Sequence, residues 1–395
     1  MQKNNLFFYI FTNFLLMNAG CLGGIDPDSE QTDSELSNEI LSSEKGTGNY
    51  TTLEDVPYVD SFDGLSQDGN LSAITAQDES LTDNYRSSAY IFDLKKNKIS
   101  RILRNGQGVT LSPSGRYYIT NERFARTSML HDLENSTASR LPFGSHSATF
   151  LTDTLISYGE ANSIFVYDLK QQRSVLLVDT KIIGNNFKIS IDSNYIAFTS
   201  GFAVVSGIPA KFGKMYLYDR NKKQTIFIGQ GRGICALGCG PDPKFSISAD
   251  GQYIAYEAVG INIYNRLDNT TKSIARDGYH QEEPSISADG QYIVYTAYLN
   301  TTQLQENGYF ENVFVYDRDT ATHVLVTTKL AGINPPKPDV AAGTMSSVRI
   351  SANGKHIGFL YFEPILLSGN AGYTGKQHFR NVPNPLSIVE PLGEY

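Results

Sequence analysis

Residues 245–256 (FSISADGQYIAY) and 285–295 (SISADGQYIVY) are near copies, with Gly251 and Gly290 set 39 residues apart. A period close to forty residues marks a repeated structural unit and limits the chain to folds built from such units. Inside each copy the pattern is that of strands. Phe245 and Ile247 alternate ahead of an Asp-Gly, and Tyr253, Ile254 and Tyr256 follow it. Asp-Gly supplies a tight turn, so each copy reads as two antiparallel strands joined at that turn. Composition agrees: 24 Tyr, 21 Phe and no Trp suit pleated, half-buried surfaces, and 395 residues exceed a single small core.

Extended along the chain, the motif becomes a two-part template. Its first half is strand, S-x-D-G-like turn, strand. It recurs near Leu65, Leu111, Phe150, Ile189, Phe245, Ile286 and Ile350. Its second half is a strand ending in Tyr-Asp or a variant, a polar turn and a closing apolar strand. The cores are 90–94 (YIFDL), 129–133 (MLHDL), 165–169 (FVYDL), 216–220 (YLYDR), 262–266 (NIYNR) and 314–318 (FVYDR), with a faint seventh around 376–390. Outside the N-terminal leader there is no run of helical period. Four-stranded units arranged radially limit exposed sheet edges, so the expected fold is an all-β propeller of four-stranded blades. Seven blades are expected over residues 65–395. A six-bladed ring is the rival count, with 346–362 pairing onto 89–104 and 65–75 left outlying.

Two stretches, LSPSGRYYIT (111–120) and SADGQYIAYEA (248–258), resemble the TolB-like propeller repeat, whose turn is typically S-P-D-G before an aliphatic-aromatic strand. The resemblance covers roughly residues 60–362 and implies the fold. It implies little about activity, since propellers host unrelated functions. The propeller of TolB binds partner proteins in the periplasm beside a separate N-terminal domain. Here that place is taken by a leader and an acidic stretch.

The leader has Lys3, an apolar core over 6–17 (LFFYIFTNFLLM), then Ala19-Gly20 directly before Cys21. It resembles a bacterial lipoprotein signal, which implies cleavage after residue 20 and lipid on Cys21. Asn18 departs from the aliphatic usual three residues before the cysteine. The core is too short for a comfortable bilayer span. An ordinary secretory signal cut near Ala19 is the alternative. Residues 21–64 are rich in Ser, Asp, Glu and Gly, which points to a disordered linker. Residues 22–88 carry fifteen acids against Lys45 and Arg86, a net of −13. With −8 for the whole chain and one charge from Lys3, residues 89–395 come to +4. The acidic stretch therefore reads either as a spacer off an anionic membrane or as plain linker solvation.

Few residues point to chemistry. Asp93, Asp132, Asp168, Asp219 and Asp317, with Asn265 as the amide version, form one series. Asp68, Asp250 and Asp289 form another. Both read as acceptors for the backbone of their own turns. Cys235 and Cys239, in GICALGCG, read as a local disulfide of an exported protein rather than a metal or redox pair. Of six histidines, His146 and His280 precede a unit's first strand, near one mouth of the channel. Asp60, Gln107, Asp242, Glu282 and Glu283 fall near the same mouth. Oligogalacturonate lyases, which are TolB-like propellers, hold a metal there with several nitrogen ligands. This chain offers two histidines in phase, so no metal or cofactor is assigned. No catalytic or nucleotide-binding motif occurs in a strand-to-helix setting, and no dense Lys/Arg stripe suggests nucleic acid.

The reading is an exported module of the bacterial cell envelope, lipid-anchored through Cys21, that binds or scaffolds a protein partner. The long insertions at 298–312 and 328–346 are the favoured contacts. A polysaccharide lyase or hydrolase at the channel mouth is the alternative, and a purely structural surface protein is a third.

Overall fold

The computed structural model describes residues 51–52, 59–77, 87–96, 98–103, 106–122, 127–144, 148–160, 163–179, 186–199, 213–231, 243–274, 279–299, 311–327, 345–362 and 377–386. Their strands form seven four-stranded antiparallel sheets. Blade 1 is Val59–Leu65, Leu71–Gln77, Ser87–Asp93 and Lys98–Leu103, taken from the axis outward. Blades 2 to 6 repeat the order from inner strands Gly106–Leu111, Thr149–Phe150, Phe187–Ile189, Phe245–Ile247 and Tyr279–Ile286. In blade 7 the strands Met345–Ile350, His356–Phe362 and Gln377–Pro383 are completed on the outside by Thr51–Thr52.

The seventh blade thus joins the two ends of the described chain, with Thr51 opposite Asn381 and Thr52 opposite Arg380. This excludes the six-bladed arrangement, because 346–362 pairs within blade 7 and not with 89–104. It also moves the start of the propeller. The linker boundary at residue 64 is too late. Thr51–Thr52 and Val59–Leu65 are both strands of the ring, and Phe62 is buried in its core. The acidic composition that suggested a linker hides a strand in which Asp63 directly follows a core residue, Phe62. A chain begun at residue 59 rather than 51 leaves the Gln377–Pro383 edge open. It is expected to lose about 1–2 kcal/mol for the missing ladder bonds and to self-associate with rising concentration, measurable by urea unfolding and sedimentation.

What closes the ring is burial between blades. Among the described residues the hydrophobic core divides into seven clusters, and each joins two neighbouring blades. Across the closure between blades 7 and 1, Leu360 packs with Phe62, Ile74, Tyr90 and Phe92. Tyr118, Tyr216, Tyr256, Tyr295 and Tyr316 are among the largest fully buried side chains. That accounts for the tyrosine richness, since each ring fills a wide gap between diverging sheets.

The S-x-D-G turn is a closed hydrogen-bond box. In blade 5 the Ser248 hydroxyl donates to Asp250 Oδ1 (2.7 Å) and accepts from the Tyr253 amide (2.9 Å), while Asp250 accepts from the Gln252 amide (2.9 Å). The same pattern holds at Ser66/Asp68, Ser190/Asp192, Ser287/Asp289 and Ser351/Asn353. The Tyr-Asp series behaves as expected. Asp132, Asp168, Asp219 and Asp317 each accept from amides of the following turn. Turns also bond to turns: the amides of Ile191, Ala249 and Ala288 donate to the carbonyls of Ala249, Ala288 and Ala352. The links Asn353 to Gln67 and Gln67 to Pro113 continue this belt into blades 1 and 2.

Because successive strands are antiparallel, both short turns of blades 1 to 6 and the first turn of blade 7 lie on one face of the ring. The connections 200–212, 232–242, 300–310, 328–344 and 363–376 all join strand ends on the other.

Candidate functional site

Inner strands run from the long-connection face to the short-turn face, and their residues surround the axis. Four of them carry a register shift against their neighbour: between Phe62 and Gly64, Gln107 and Val109, Glu282 and Ser285, and Ser346 and Arg349. A bulge of this kind leaves one residue out of the ladder and re-aims it. Gly108, Glu283 and Ser347 have positive φ there (67°, 55° and 56°), a conformation that costs a non-glycine residue energy and needs support.

Carboxylates supply that support. Glu257, in blade 5 and 7% exposed, accepts from the Lys244 amide (3.0 Å) and from the Glu283 amide of blade 6 (2.7 Å). Glu283 in turn accepts from the Ser347 amide of blade 7 (2.5 Å). Asp63 of blade 1 accepts from the hydroxyls of Ser61 (2.7 Å) and Thr75 (2.6 Å) and from the Val109 amide of blade 2 (3.3 Å). Each acid in this belt holds a bulge or the start of a neighbouring inner strand. Arg349 lies in the field of both Glu283 and Asp63. Burial pulls its pKa down, and those two acids oppose that shift.

Burial pushes the Asp63 carboxyl above the usual carboxylate range, against its hydrogen bonds. The folded protein therefore binds this proton more tightly than the unfolded chain does. Acidification from neutral toward the unfolded pKa near 4 favours the folded state at this site. Asp63→Asn keeps an acceptor for Val109 and is expected to cost less than about 1 kcal/mol at pH 7, whereas Asp63→Ala strands that amide and costs about 2–3 kcal/mol. In urea titrations the stability gap between wild type and Asp63→Asn should shift in favour of wild type as pH falls. A gap independent of pH would mean the carboxyl is not held in this way.

Of the residues singled out in the sequence, Glu282 and Glu283 lie within the inner strand of blade 6. Glu283 binds blade 7, and the carbonyl of Glu282 accepts from the Thr296 hydroxyl (3.4 Å). The backbone of His280 pairs with Tyr298 in the same blade. Its side chain, together with His146, Asp242, Cys21, Cys235 and Cys239, lies outside the described residues. Among the described residues no three of His, Cys, Asp and Glu come together as a metal set. Sequence reasoning missed Asp63, Lys188, Lys244, Glu257 and Arg349. The available signal was a charge between two apolar residues directly before a turn serine, in FKIS (187–190) and VRIS (348–351).

No protein-family model and no curated protein matches the chain at a significant level. Solved propeller structures do. The β-propeller domain of the Trilobed protease from Pyrococcus furiosus is similar over 84% of this chain and 94% of its own, with a TM-score of 0.53 at 12% identity. An oligogalacturonate lyase from Vibrio parahaemolyticus is similar over 85% and 97%, with a TM-score of 0.52 at 10% identity. TolB from Acinetobacter baumannii covers 80% and 79% at 14% identity, with a TM-score of 0.40, too loose a fit to add to the argument. At these identities the likeness is one of fold: the chain is similar to β-propellers.

Proposed function

We propose that the chain is an exported envelope protein, lipid-anchored through Cys21, whose propeller presents one face to a protein partner. The observation that carries this reading is the inequality of the two faces. One carries only tight turns, locked to each other by backbone hydrogen bonds. The other receives every long connection, including 300–310 and 328–344, between strands held rigidly in register. Long connections on a rigid frame are where scaffolds place recognition. The acidic belt of the channel supports the same reading, because Glu257, Glu283 and Asp63 have oxygens engaged in holding blades together.

Fold alone does not choose between classes, since one similar structure belongs to a protease and another to a lyase. The test is in-cell photo-crosslinking from positions within 300–310 and 328–344, with positions in the short turns at Asp250 and Asp289 as reference. The expected result is one discrete adduct from the long-connection face only, lost when 328–344 is replaced by a short Gly-Ser link. Incorporation of an alkynyl fatty acid in wild type and not in Cys21→Ala tests the anchor. A lyase or hydrolase at the channel mouth would instead show a stoichiometric divalent metal on the purified protein and uronate cleavage. Both would be lost in His146→Ala and His280→Ala.

A further inference from the structure

The residue two places before each turn serine stands beside the axis. In blades 2, 5 and 6 it is Thr110, Ser246 or Ser285, whose hydroxyl reaches the next blade. Thr110 donates to the Ala148 carbonyl (3.2 Å). Ser246 and Ser285 accept from the amides of Ile286 (3.3 Å) and Ile350 (3.2 Å). In blade 4 the same position is Lys188, and in blade 7 it is Arg349. Blades 4 and 7 are three steps apart one way round the ring and four the other, so the two cations face each other across the axis at one level.

Neither cation is placed there for packing. Lys188 is exposed between buried Phe187 and Ile189. Arg349 sits between buried Val348 and Ile350, and its Nη1 donates to the Val348 carbonyl (2.8 Å). Lys244, exposed at the start of the next inner strand, is a third cation in the electrostatic field of Lys188. Among the described residues none of the three forms an ion pair. Asp63 and Glu283 flank Arg349, but their oxygens accept from neighbouring strands. At Lys188 the charges felt are both positive. Enclosure by the channel walls lowers its pKa first, and Arg349 and Lys244 add to this, down to about 8.

We propose that the axial channel is an oxyanion site, in which Lys188 and Arg349, with Lys244 beside them, hold a compact multivalent anion of the polycarboxylate or phosphate class. Such a ligand relieves the repulsion between cations gathered in an enclosed space, and it presents several oxygens to a guanidinium and two ammonium groups from different blades. The site is independent of the partner-binding face and of the anchor.

The test is calorimetric titration of the purified protein with citrate and with inorganic phosphate at fixed ionic strength, alongside thermal melting. Saturable one-to-one binding with a raised midpoint is expected for at least one of them, weakening above pH 8 as Lys188 loses its proton. Lys188→Met and Lys244→Met should each weaken binding by about tenfold or more while the protein remains folded. Lys222→Met, on a turn at the outer edge, is the matched control and should leave affinity unchanged. Two outcomes overturn the proposal: no saturation by either anion into the millimolar range, or saturable binding that Lys188→Met and Lys244→Met both leave intact.

Discussion

Gly251→Val is expected to destabilise the propeller by about 3–5 kcal/mol, the range of a clash in the core combined with a strained backbone. Gly251 closes the blade 5 turn at φ 66°, and a Cβ built there would lie 2.7 Å from Cβ and Cδ2 of Tyr195 in blade 4. The Tyr195 ring has nowhere to go. Arg266 stacks over it with its guanidinium carbon 3.8 Å from the ring centre, and Arg266 Nε donates to the Gly251 carbonyl (3.1 Å). Blades 5 and 6 repeat the clamp, with Gly290 against Tyr253 and Arg318 4.0 Å over that ring. Positive φ alone is not prohibitive, because the corresponding turn of blade 4 holds Ser193 at φ 61°. Most of the cost therefore comes from overlap with Tyr195, and β-branching adds to it. Gly251→Ala brings the same Cβ without the branch and should cost about 2–3 kcal/mol. Urea unfolding followed by tyrosine fluorescence reads both. A midpoint unchanged in Gly251→Val would mean that the turn does not pack on the neighbouring blade.

That turn was the part of the molecule most legible in the sequence, and the reason is physical. A positive-φ position that must also admit a neighbouring blade's side chain leaves glycine as the fitting residue, so Gly69, Gly115, Gly251, Gly290 and Gly354 recur in phase. The Tyr-Asp series was legible for a similar reason, since a strand-end acceptor has one local task. The start of the ring was not. Val59–Leu65 carries Asp60 and Asp63 amid an acidic stretch, and only pairing with Leu71–Gln77 shows that Asp63 sits in a bulge with Phe62 in the core. Thr51–Thr52 was illegible altogether, because a two-residue outer strand has no period to detect. The channel charges were half visible. FKIS and VRIS break the apolar alternation with a cation, but sequence cannot say that positions 188 and 349 share one level. Ring geometry brings them together. Glu282 and Glu283 were noticed for their polarity and assigned to a mouth. Glu283 proves to be a link between blades, and its partner Glu257 looked like one more polar residue on an ordinary strand.

Glu257→Ala is the sharper test of that belt, with an expected loss of about 2–5 kcal/mol. The carboxylate is nearly buried and accepts from two amides, those of Lys244 and Glu283. Alanine leaves both without that acceptor, at about 1–3 kcal/mol each. The effect should be local before it is global. Glu283 keeps its positive φ partly because its amide is held by Glu257, and it passes the constraint on through Ser347 to blade 7. Hydrogen exchange should therefore quicken at the amides of Lys244, Glu283 and Ser347 under conditions where the blade 2 and blade 3 ladders remain protected. Glu257→Gln retains one carbonyl acceptor and should fall between wild type and alanine, whereas Asp289→Ala, on an exposed turn, should cost less than Glu257→Ala. A Glu257→Ala protein within about 0.5 kcal/mol of wild type would place the acid among ordinary surface substitutions and leave the bulges of blades 6 and 7 to be held by hydrophobic packing alone. A loss of the expected size would mean that the charged lining of this channel is part of what joins blades 5, 6 and 7.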